Sequence, residues 1–149
     1  MKKIIILSLA FLILGTILGT KIYSATASLE KAFSEGTTYY FIQEGVYSSE
    51  DIMQENTENI NIKLIDYQDG KYYVYLAITK DVNNAKKIKD IYTNQGYNIY
   101  IRERKLTNEE FSSNVTQFDL LINNTSNTEE ILTITEVVLA NYEEIIKKQ

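Results

Sequence analysis

The chain has 149 residues, 44% of them hydrophobic, and a net charge of −5, enough material for one compact domain plus an appendage. The acidic balance argues against a nucleic-acid partner, which needs a concentrated positive face. With neither cysteine nor histidine, disulfides, thiol nucleophiles, most zinc sites and imidazole-based triads are excluded. No metal or cofactor is expected, and any catalysis would rest on carboxylates alone.

Lys2 and Lys3 precede an uninterrupted apolar run from Ile4 to Gly19, which meets Thr20 and Lys21. A spanning helix needs about 20 apolar residues, with about 17 as the lower limit. Ile4 to Tyr23 reaches that length if Lys21 snorkels outward and Tyr23 sits at the interface. The alternative is a cleaved secretory signal with Ala25-Thr26-Ala27 as its small-residue site. In both readings the two lysines stay inside and the rest is exported. The expected location is therefore the cell membrane, single-pass with the N-terminus cytoplasmic, or secretion after cleavage near Ala27. Residues 1–23 read as the anchor and 24–37 as a linker.

From Tyr39 to Tyr47 the chain is rich in β-branched and aromatic residues, which suits a strand. Ser48 or Ser49 can cap a helix from Glu50 to Asn59, with Glu50 and Asp51 complementing its dipole. A second strand, Ile62 to Tyr67, ends at Asp69-Gly70, a two-residue hairpin signal. Lys71 to Thr79 is the third strand. Asp81 then caps a helix from Val82 to Gln95, with Ala85, Ile88, Ile91 and Tyr92 on one face and Gly96 at its end. The last strand, Tyr97 to Arg104, alternates in polarity. Beyond it, Thr107-Asn108-Glu109-Glu110 reads as a capping box for a helix with Phe111, Val115, Phe118 and Ile122 along one stripe. Ser126-Asn127-Thr128-Glu129 opens a second helix, where Ile131, Val138 and Ile145, with Leu132, Leu139 and Ile146, recur every seven residues. The pair reads as a helical hairpin packed on itself or on the domain, or else as a self-association or partner-binding element.

The expected fold class is α+β. It comprises an N-terminal transmembrane helix, a ferredoxin-like β-α-β-β-α-β domain (38–105) with a four-stranded antiparallel sheet, and a C-terminal helical hairpin (106–149). Right-handed crossovers put both domain helices on one side of the sheet. The opposite face is expected to be open, and function is expected there.

Ile42-Gln43-Glu44-Gly45-Val46-Tyr47-Ser48 resembles the opening strand of the SPOR (sporulation-related repeat) domain. Asp69-Gly70-Lys71-Tyr72-Tyr73-Val74-Tyr75-Leu76 resembles its central strand, and Ala85 through Ile101 its closing helix and strand. The resemblance spans roughly Thr38 to Glu103. It implies a peptidoglycan-binding module that favours glycan strands stripped of stem peptides, often at division or sporulation septa and frequently tethered by one membrane helix. It also places Gln43 in the binding groove. Two features depart from the family: Ala77-Ile78-Thr79 stands where Gly-Pro-aromatic is usual, and Glu44 occupies an apolar slot. Either a bulge at Gly45 turns Glu44 outward or the first strand sits differently.

On the open face the pattern points Phe41, Gln43, Tyr73, Tyr75, Tyr100 and Arg102 away from the helices. Aromatic rings there would stack on sugar C–H faces, and phenol and amide groups would bond sugar hydroxyls. Arg102 or Arg104 would pair with a muramic lactyl carboxylate. Ordinary strand formers, half-buried under a loop or the C-terminal helices, account for the same tyrosines equally simply. Glu44, Asp66 and Glu103 are the carboxylates available for acid–base work, but nothing in the sequence brings them together, and a non-enzymatic binder is expected.

Overall fold

Residues 36–147 are described by the computed structural model. The expected anchor and most of the linker lie outside them. Among the described residues no helix is long and apolar enough to cross a membrane.

Among the described residues four strands and four helices follow one another as β1 (Thr37–Tyr47), α1 (Glu50–Thr57), β2 (Leu64–Gln68), β3 (Lys71–Thr79), α2 (Val82–Asn94), β4 (Tyr100–Leu106), α3 (Glu109–Asn123) and α4 (Thr128–Ile146). The sheet is antiparallel throughout in the order β2-β3-β1-β4, the arrangement the split βαβ pattern requires. Asp69 and Gly70 both take positive φ, 51° and 75°, so β2 and β3 are joined by a two-residue turn whose twist matches its strands. Asp81 caps α2 by accepting from the Asn83 and Asn84 amides. At the other end Gly96, at φ 94°, lets the Tyr97 amide donate back to Tyr92 O and its own amide to Thr93 O, a Schellman closure. That closure holds Tyr97 against α2, which is why β4 starts at Tyr100 and not at Tyr97. Asn108 and Asn127, each the second residue of its expected box, are the side chains that cap α3 and α4.

The core has two layers, one on each side of the sheet. Ile42, Val74, Leu76 and Ile99 point into the first, against Met53 of α1 and Ala85, Ile88 and Tyr92 of α2. Tyr39, Phe41, Leu64, Tyr75 and Ile78 point into the second, against Phe111 and Val115 of α3 and Val138, Leu139 and Tyr142 of α4. The sequence reading left this second face open; the structure covers much of it with the C-terminal helices. The physical reason is in the stripes themselves. Phe111, Val115, Val138 and Leu139 are apolar surfaces that water disfavours, and a sheet face rich in aromatic rings is the adjacent surface that can bury them. Ile131 is buried in the first-layer cluster, so the heptad side chains Ile131, Val138 and Leu139 are all buried within this chain.

The helical pair supplies five of the ten buried side chains of this second layer, Phe111, Val115, Val138, Leu139 and Tyr142, so the layer exists only where the helices pack on the sheet. A polar seam reinforces it. The Asp119 carboxylate, on α3, accepts from the Thr79 hydroxyl, the Lys80 amide at 2.9 Å and the Asn84 side chain at 3.2 Å. Lys80 Nζ in turn donates to Ser112 Oγ and Thr116 Oγ1 at 2.9 and 2.8 Å, and Lys87 Nζ donates to Ile122 O at 2.9 Å.

Candidate functional site

The opening strand carries the local feature that shapes the site. Ile42 pairs with Ala77, Gln43 with Tyr75 and Gly45 with Val74. Leu76 is therefore extra on β3 and Glu44 extra on β1, a pair of bulges that add twist at the middle of the sheet. Glu44 does not face the first-layer core as strict alternation would have it. It is half-buried, and its two carboxylate oxygens accept from the Tyr47 hydroxyl at 2.9 and 2.8 Å. Gly45 leaves room for that contact, because a Cβ there would lie 2.8 Å from Cε2, Cζ and the hydroxyl oxygen of Tyr47 and push the ring aside.

All six residues expected on the second face do point to it, but they share its surface unequally. Phe41 is 0% and Tyr75 2% exposed. Phe41 meets Tyr142 edge-on at 5.3 Å and Tyr75 at 5.0 Å. These two rings lie under α3 and α4 and present nothing to a ligand, which corrects the expectation of an open aromatic face. The other four lie around the part the helices leave bare. Tyr100, 45% exposed, stands directly across from Gln43, and Arg102 across from Phe41. Tyr73 is half-buried, stacked on Tyr75 at 6.4 Å, and across from Val46. Gln43 sits between the two sides at 5% exposure. The Tyr100 ring is held from both sides, its hydroxyl accepting from Asn98 Nδ2 at 2.8 Å and the Arg102 guanidinium lying 5.8 Å from its centroid.

A second cation crosses the face. From the outer strand β4, Arg104 reaches over the Phe41 and Tyr75 rings, at 5.2 and 5.9 Å. It donates to the Tyr75 hydroxyl at 3.0 Å and to Gln68 Oε1 at 3.3 Å, and it lies 3.7 Å from Asp66. Gln68 Nε2 also donates to Asp66 Oδ2 at 2.8 Å. Asp66 and Gln68 come from the opposite edge strand. Their part here has no local sequence signal, since they meet Arg104 only through the strand order. Burial, only partly offset by Arg104, pushes the Tyr75 phenol up to about 12.

The three carboxylates considered for acid–base work are not assembled. Asp66 is engaged on the second face, whereas Glu103 stands across from Tyr40, on the first-layer side, and Glu44 is held by Tyr47. Two concavities occur beside α4. The larger, about 200 Å³, lies between residues 61–64 and Glu136, Leu139, Ala140 and Glu143; neither contains any of the expected site residues.

No protein-family model matches the chain, and no curated protein matches it. Among solved structures it is similar to the peptidoglycan-binding domain of the B. subtilis cell wall lytic enzyme CwlC, a solution structure. The two share 19% identity at a TM-score of 0.40, over 46% of this chain and 92% of that one.

Proposed function

We propose that this chain is a non-catalytic binder of peptidoglycan glycan strands, acting through a strip in which Tyr73, Tyr100 and Arg102 surround the largely buried Gln43. The observation that carries the reading is Tyr100. Its exposed ring is fixed by Asn98 and Arg102 and set directly across from Gln43. An exposed ring with partners on two sides offers a flat apolar surface for the C–H face of a sugar. Beside it, the Gln43 amide can both donate and accept. Arg102 supplies the fork that suits a lactyl carboxylate. Tyr73 extends the strip onto β3. Phe41 and Tyr75 belong to its foundation and not to its contact surface.

On the same reading residues 4–23 anchor the domain in the membrane, with the described residues outside the cytoplasm, where glycan strands are found, at division or sporulation septa. Sedimentation of the full-length, detergent-solubilised protein with sacculi tests the binding. Retention is expected, rising when amidase strips the stem peptides and falling at least severalfold in Tyr100→Ala and Arg102→Ala. No retention, or retention indifferent to both substitutions, contradicts it. The anchor is tested separately by carbonate extraction of membranes, where release of the intact chain would count against it.

A further inference from the structure

The opposite side of the sheet carries an aromatic surface that the strip does not use. Tyr47 pairs with Tyr72, and Tyr72 with Tyr67, so three tyrosines lie abreast on β1, β3 and β2 at the hairpin end, on the side that α1 and α2 cover elsewhere. Neighbouring strands are about 4.8 Å apart, so the row spans roughly 10 Å. Tyr67 is 62% exposed, Tyr72 and Tyr47 are half-buried, and the Tyr67 and Tyr72 rings meet at 4.7 Å. Tyr47 is pinned by Glu44. Glu50 and Asp51 open α1 three residues after Tyr47, both exposed. Among the described residues none of Glu44, Glu50 and Asp51 has a cation within ion-pair distance. Burial first, then Glu50, Tyr67 and Asp51, push the Tyr72 phenol above its ordinary value.

Flat rings in a row fit an extended ligand with apolar faces, and unpaired carboxylates at their edge select a positive one. The charge is opposite to that of the strip, where Arg102 and Arg104 stand. Resting on the glycan reading above, we infer that the Tyr47–Tyr72–Tyr67 row, with Glu50 and Asp51, is a second subsite that takes an amine-bearing sugar, a de-N-acetylated glucosamine unit. Carboxylate-bearing sugars are repelled from it. A ring with an ammonium group can lie on Tyr67 and Tyr72 while its charge meets the α1 carboxylates.

The test is calorimetric titration of the full-length protein with glucosamine oligomers, N-acetylglucosamine oligomers and tetralysine as probes. The glucosamine oligomer is expected to bind at least tenfold tighter than its acetylated counterpart. Its affinity should fall about 2–30-fold in Tyr67→Ala, the range cation–aromatic contacts span from exposed to desolvated sites, and similarly in a Glu50→Gln, Asp51→Asn double variant. Tyr67 is largely exposed, so its loss leaves the fold intact, which circular dichroism checks. Equal affinity for both oligomers, affinity indifferent to these variants, or tetralysine binding as tightly at the same residues overturns the assignment. Loss of oligomer binding in Tyr100→Ala alone would place it on the strip instead. Failure of sacculus retention with oligomer binding intact would overturn the strip and leave this subsite standing.

Discussion

Replacing Phe111 by alanine strikes the point where the C-terminal helices join the sheet. The side chain is 1% exposed, stacks on Tyr39 of β1 at 5.3 Å and 27°, and meets Tyr142 of α4 at 5.6 Å. Truncating a buried phenylalanine costs about 3–5 kcal/mol through lost transfer energy and the cavity left behind. In a domain of this size that lowers the melting midpoint by roughly 10–20 °C. Urea and thermal unfolding should be followed by far-ultraviolet circular dichroism, which reports helix, and by tyrosine fluorescence, to which Tyr39 and Tyr75 contribute from within the sheet. If α3 and α4 are core, both probes move together to one lower midpoint with an unchanged denaturant slope. If they are a detachable cover, the helical signal is lost first while the sheet tyrosines keep their native emission. That outcome, or a midpoint shift under about 3 °C, would refute the reasoning.

Three further outcomes follow from the geometry. Arg104→Met should cost about 1–3 kcal/mol in urea unfolding, because Asp66, 5% exposed, keeps only Gln68 among the partners described here. The partial exposure of the guanidinium holds the loss toward the lower end. Gly45→Ala should cost about 1–3 kcal/mol through overpacking, since the Tyr47 ring must move off its carboxylate. Its signature is a Tyr47 phenol titrating closer to the ordinary tyrosine range, because burial and then the Glu44 bond hold it well above that range. For Asp119, burial outweighs the donors around it and raises its carboxyl above the ordinary value. A raised folded-state value means that its contribution is complete below the ordinary carboxylate range and is lost as pH rises through the folded value. The stability difference between wild type and Asp119→Asn should therefore fall with rising pH across that window, and a difference that grows with pH would contradict the sign.

The four strands and both crossover helices were legible because each has a local cause: β-branched alternation, the Asp69-Gly70 turn, the Asp81 cap and the Gly96 stop. The direction of every site residue was legible too, since alternation fixes it. Their exposure was not. Phe41 and Tyr75 read the same whether their face meets water, a ligand or α4, and only the three-dimensional return of Phe111 and Tyr142 decides it. The Arg104–Asp66 contact was likewise hidden, because it joins the two edges of the sheet across intervening strands. Glu44, out of place by strict alternation, marked the bulge correctly, and its partner Tyr47 lies only three residues on.

The most direct measurement is a nuclear magnetic resonance titration of the isotope-labelled protein with stem-peptide-free glycan fragments. The account predicts shifts at the Gln43 side-chain amide, Tyr73, Tyr100 and Arg102, with Phe41, Tyr75 and Phe111 unmoved. Shifts that spread through Phe41, Tyr75 and Phe111, or saturation without any change at Gln43 and Tyr100, would contradict it.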